Sequence, residues 1–81
     1  MEPHQKAILK RMLHKKRVGK HHITIDNLLR GFNDQNKGKL KKAIKQLLKR
    51  NILVLYKTKN GDAIYINPAD VKAIREKLGL L

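Results

Sequence analysis

Lys37-Gly38-Lys39-Leu40-Lys41-Lys42-Ala43-Ile44-Lys45-Gln46-Leu47-Leu48-Lys49-Arg50 is the stretch on which the reading of the chain turns. Leu40, Ala43, Ile44, Leu47 and Leu48 fall at i, i+3, i+4, i+7 and i+8, the repeat of one helical face. At about 100° per residue, Gly38, Lys39, Lys42, Lys45, Gln46 and Lys49 project away from that stripe. The spacing predicts a helix from about Asn36 to Arg50, apolar on one side and almost purely cationic on the other.

Downstream the pattern changes to strands. Ile52 to Lys57 is β-branched and aromatic in character, and Ala63-Ile64-Tyr65-Ile66 matches it. Asn60-Gly61 between them is the preferred pair for a two-residue type I′ turn. That turn places Leu55 opposite Ile66 and Tyr56 opposite Tyr65, in a hairpin spanning 52–67. Leu53, Leu55, Ile64 and Ile66 are expected to face the core, with the tyrosines a half-exposed pair serving sheet packing rather than base stacking. The hairpin is followed by a helix over 68–78: Asn67 is its N-cap, Pro68 its first residue, and Asp70 lies near its positive end. Val71, Ile74 and Leu78 form its buried stripe, and Gly79 stops it.

Upstream, Ile8/Met12 and Leu9/Leu13 are spaced four apart and predict a helix from Pro3 to about Lys16. Gly19 is expected to supply its left-handed end. Thr24 then caps a short helix with the stripe Ile25, Leu28, Leu29 and Phe32, and Ile23 is placed to form a brief strand. Gly31 and Asn33-Asp34-Gln35-Asn36 read as the turn into the cationic helix.

Eighty-one residues make one domain, and the absence of cysteine leaves packing alone to hold it. The longest apolar run, Ile52 to Tyr56, is far short of the ~20 residues of a membrane span. A cytoplasmic protein is expected, nucleoid-associated if it is bound to DNA. Twenty Lys and Arg against six Asp and Glu give a formal charge of +14, which repels itself in a compact chain unless a polyanion is the partner. Lysine-rich thermophile surfaces usually carry glutamate as well, and here only Glu2 and Glu76 occur. Catalysis has little to stand on: there is no Ser or Cys, no paired carboxylates within one element, and no glycine-rich phosphate loop. His14, His21 and His22 lack the nearby carboxylate or thiolate of a metal site. No metal, cofactor or small-molecule ligand is therefore expected.

Residues 4–67 resemble the winged helix-turn-helix DNA-binding superfamily, and small archaeal members of it in particular. The resemblance rests on the order of elements and on the segments Lys20 to Phe32 and Lys41 to Leu53. It implies an α+β fold with a three-helix core, a two-stranded β-hairpin wing and a C-terminal helix. In that superfamily the third helix enters the major groove of double-stranded DNA and the wing touches the flanking backbone. Carried onto this chain, Lys39, Lys42, Lys45 and Gln46 are the groove-facing candidates, with Lys37, Lys41 and Lys49 beside them. Gln46 could read adenine and a lysine could donate to guanine. The alternative is that every lysine meets only phosphate, because lysine is a flexible point charge without the fixed fork of arginine. Gly38 would allow close approach to a phosphate. Lys57 and Lys59 on the wing, and Thr24, Asn27 and Arg30 around the second helix, are the implied backbone contacts. A structured-RNA or ribosome-associated module, and a protein-interaction winged helix within a nucleic-acid complex, stay open as alternatives. Leu80-Leu81 beyond Gly79 suggest a weak homodimer through the C-terminal helix, meeting Ile8 and Met12 of a second copy.

Overall fold

A computed structural model of the chain describes residues 1–32 and 36–80. In chain order the elements are α1 (Pro3–His14), β1 (Ile23–Thr24), α2 (Ile25–Arg30), α3 (Lys37–Lys49), β2 (Leu53–Thr58), β3 (Gly61–Ile66) and α4 (Val71–Lys77). A 3₁₀ turn over Pro68–Asp70 leads into α4. The class is α+β as expected, with four helices among the described residues and an antiparallel sheet in the order β1-β3-β2. The turn residues Asn33-Asp34-Gln35, and Leu81, lie outside the described residues. None of the described helices is long and apolar enough to cross a membrane.

The amphipathic stripes pack as their spacing predicts. Ile8, Leu9, Met12 and Leu13 of α1, Leu28 and Leu29 of α2, and Leu40, Ala43, Ile44 and Leu47 of α3 are all buried. α3 lies against α1 and also against β2. Leu53, Ile64 and Ile66 close the core from the sheet, and Ile74 from α4. β1 pairs Ile23 with Ile64 and Thr24 with Ala63, so β3 is the central strand and the sheet gains a third member beyond the hairpin.

Three helices end in the same way. Lys16, Asn51 and Gly79 have positive φ of 56°, 57° and 71° respectively. The amide after each donates back five residues: Arg17 to Met12 (2.8 Å), Ile52 to Leu47 (3.1 Å) and Leu80 to Arg75 (2.9 Å). This is the Schellman closure, which satisfies carbonyls that a helix end would otherwise leave bare. For α1 it corrects the expectation that Gly19 ends the helix. The helix stops at His14 through Lys16, two residues earlier than predicted. Gly19 is left-handed too (φ 61°), but it serves the crossing to the sheet, where its amide donates to the Ile66 carbonyl at 3.1 Å. A side chain in the left-handed region costs about 1 kcal/mol that glycine avoids. Lys16→Gly is therefore expected to stabilise the fold by about 0.5–1 kcal/mol. Thermal unfolding would show this as a rise of several degrees; a fall would mean that the Lys16 side chain makes a contact worth more than the strain.

The hairpin register departs from the expected one. Thr58 pairs with Gly61 and Leu55 with Ile64, so the loop is Lys59-Asn60 and Asn60-Gly61 is not the turn pair. A type I′ turn needs positive φ at both central residues. Here neither Lys59 nor Asn60 has it, and Gly61, just past the turn, does (116°). The Thr58 hydroxyl holds the loop in this position, accepting from the Asn60 amide (3.1 Å) and donating to the Gly61 carbonyl (2.7 Å). The slip brings Ala63 opposite Tyr56, and Tyr65 opposite Val54. Leu55 then lies beyond the packed part of the sheet and is 43% exposed, so it is not the core residue the alternation predicts.

One polar contact lies within the helix packing. Gln5 is buried on α1 and its Nε2 donates to Gln46 Oε1 on α3 at 2.8 Å, while Arg50 Nη1 donates to Gln5 Oε1 at 3.5 Å. A buried amide with its groups paired costs little, and it fixes where one helix sits along the other.

Candidate nucleic-acid interface

Every lysine of α3 is exposed: Lys37, Lys39, Lys41, Lys42, Lys45 and Lys49. Gly38 is exposed with them, and the space where a Cβ would stand is open. Burial of Leu40, Ala43, Ile44 and Leu47 forces this outcome, because a helix that turns one stripe inward turns the opposite stripe outward. The helix carries no acidic residue. Lys37, Lys39, Lys41 and Lys42 crowd its first turns, where the dipole is already positive, an arrangement that disfavours the isolated protein and favours an anion.

Gln46 does not belong to that exposed set. It is half-buried, and its carboxamide oxygen accepts from Gln5, which holds it on the flank facing α1. The adenine-reading role suggested for it needs that oxygen as an acceptor for the base, so Gln46 is better described as a packing residue. On the opposite flank Lys41 and Lys45 border a shallow groove shared with Ile25, Leu48, Leu55 and Asp62. α3 and the hairpin thus form the two walls of one concave surface, with the exposed Leu55 between them.

The remaining expected contacts are distributed as follows. Thr24 caps α2 by accepting from the Asn27 amide at 3.2 Å, so its oxygen is engaged in holding the helix. Asn27 and Arg30 are exposed three residues apart on α2 and share a face. On the hairpin, Lys57 and Lys59 are both exposed. Lys57 stands directly opposite Asp62, a cross-strand pairing that offsets part of its charge. Lys59 sits in the loop itself and is the better placed of the two for a phosphate.

Two arrangements escaped the sequence. The first is the Gln5–Gln46 contact, which no local pattern reports because its partners are 41 positions apart. The second is on the outer side of the sheet, where the rings of His22 and Tyr56 stack with centroids 4.5 Å apart and planes 25° from parallel. Tyr56 stands opposite Ala63 and Tyr65 opposite Val54, so the tyrosines are not the directly opposed pair that the alternation suggests. Among the described residues no three His, Cys, Asp or Glu side chains gather in one place.

The surface expected to receive a second copy is also revised. Ile8 and Met12 are wholly buried, so α1 cannot offer them to another molecule's terminal leucines. Beside the exposed Leu80 lie Ala7, Leu13 and Phe32, bordered by Lys10, Arg11, His14 and Arg75. Two such borders brought together would repel. No protein-family model, curated protein or solved structure matches this chain.

Proposed function

We propose that the chain is a winged helix-turn-helix module that binds double-stranded DNA through the lysine face of α3, with the β2–β3 hairpin as its wing. The observation that carries this reading is the exposure of all six α3 lysines opposite a fully buried stripe, on a helix without a single acid. The major groove of B-form DNA is wide enough for one helix, and lysines spread around three sides of α3 can reach phosphates on both groove walls. Lys59 and the α2 pair Asn27 and Arg30 add backbone contacts at the margins. With Gln46 turned towards α1 and no arginine on α3, the interface is built to hold duplex DNA and discriminates little between sequences.

The test is a titration of the protein against duplex DNA, duplex RNA and single strands over a range of salt. About five to seven phosphate contacts give a plot of log affinity against log salt with a slope of roughly −4 to −6. Duplex RNA is expected to compete poorly, since its major groove is too deep and narrow for a helix to enter. Affinity that is flat with salt, or tighter for duplex RNA than for duplex DNA, overturns the proposal.

A further inference from the structure

We infer that the outer face of the sheet holds a second binding site, separate from α3, that takes an unpaired nucleobase together with its phosphate. The site is the cleft lined by Gly19, Lys20, His22, Tyr56, Tyr65 and Pro68. Strand register makes it. Thr24, Ala63 and Tyr56 lie in one row across β1, β3 and β2, and Tyr65 stands in the next row opposite Val54. Ala63, wholly buried, sits in the row of Tyr56 and two residues from Tyr65, so both tyrosines stand on the one sheet face that Ala63 shares. Gly19 and Pro68 close one side: a Cβ on Gly19 would come within 3.4 Å of the Pro68 ring.

The chemistry of the lining selects the ligand. Tyr56 has one ring face against His22 and is still 49% exposed, so part of the side chain stays open to solvent beside the cleft. Exposed tyrosine on a sheet face stacks well on a flat heterocycle, and such stacking tolerates any base. An aromatic hollow can also hold a cation. Lys20 on this rim and a chain charge of +14 rule strongly against that occupant and in favour of an anionic one. A flat heterocycle carrying a negative group is a nucleotide: base on Tyr56 and Tyr65, phosphate on Lys20. Leu53, Ile64 and Ile66 point the other way, into the helical core, so the cleft and the α3 face lie on different sides of the molecule. The inference does not depend on duplex binding, and either can fail alone.

The experiment uses a short single strand carrying 2-aminopurine at a central position, whose fluorescence is quenched on stacking, and in parallel adenosine 5′-monophosphate as competitor. At moderate salt the wild-type protein is expected to quench the strand saturably, and Tyr56→Phe to keep the quench. Tyr56→Ala should weaken it by about 5–150-fold, the range measured for loss of one base–aromatic stack. Displacement by the mononucleotide at stoichiometric levels assigns the cleft to free nucleotides; displacement only in large excess assigns it to strands. Affinity of Tyr56→Ala for duplex DNA should be unchanged. A strand with an abasic residue in place of 2-aminopurine tests the same point on unaltered protein and should bind more weakly by a similar factor. Quench that survives Tyr56→Ala, no quench at all, or equal binding of the abasic strand overturns the inference.

Discussion

Removing three charges from α3 is expected to abolish most duplex binding while leaving the fold intact. In the triple variant Lys42→Ala, Lys45→Ala, Lys49→Ala, each lost phosphate contact should flatten the salt slope by about one unit. Near 0.1 M salt the three together should lower affinity by about two to three orders of magnitude. All three side chains are exposed and the buried stripe of the helix is left intact, so little packing is lost. Melting should stay level or rise slightly, because alanine is at least as good a helix former and the chain repels itself less. Filter binding or anisotropy beside a thermal melt separates the two effects. Loss of binding accompanied by loss of helix would show that the lysines are structural.

Leu47→Ala should do the reverse. Leu47 is wholly buried on α3, and its carbonyl also accepts the Ile52 amide that closes the helix. Truncation of such a leucine costs about 2–5 kcal/mol through lost burial and the cavity left behind. A small domain has about 5–15 kcal/mol in total, and one carrying +14 charges belongs towards the lower end. The melting temperature should fall by at least about 10 °C. Whatever fraction remains folded should bind duplex DNA normally when the titration is corrected for it. A shift smaller than that in the lysine variant would mean that the inward and outward faces of α3 have been exchanged.

The helices were legible because their apolar residues recur at a period that only one secondary structure satisfies, and α3 is the clearest instance. Strand content and turn position were less so. Asn60-Gly61 is a strong local signal, but it is outweighed by Thr58, whose hydroxyl bonds twice across the loop and seats the turn one residue earlier. Local sequence cannot rank those two options, since the choice rests on a difference of one or two hydrogen bonds. The end of α1 is hidden from the local sequence for a related reason: lysine in a left-handed conformation is unfavourable alone, and only the closure onto Met12 and the early turn towards the sheet make Lys16 acceptable. Within the candidate interface, exposure of the lysines follows from the buried stripe, whereas the turning inward of Gln46 depends on Gln5, a residue from another helix. The aromatic cleft depends on register and on β1, both settled by contacts far apart in the chain.

The central position of β3 has a consequence for the order in which the molecule assembles during synthesis. β1 leaves the ribosome about 2–8 s before the strand it pairs with, at a synthesis rate of about 5–20 residues per second. In that interval α1, α2 and α3 can wind and associate through local contacts, which form quickly. They have nothing to cover the side that Ile64 and Ile66 will occupy. Arrival of β3 then joins β1 on one edge and β2 on the other, and the Arg17 carbonyl receives the Ile66 amide in the same movement. Closure is thus a late event that waits on one six-residue strand, with Ile74 of α4 added after it. A nascent chain stalled short of Ile66 carries an open apolar surface, and it is at that stage of its life that this protein most needs shielding from its neighbours.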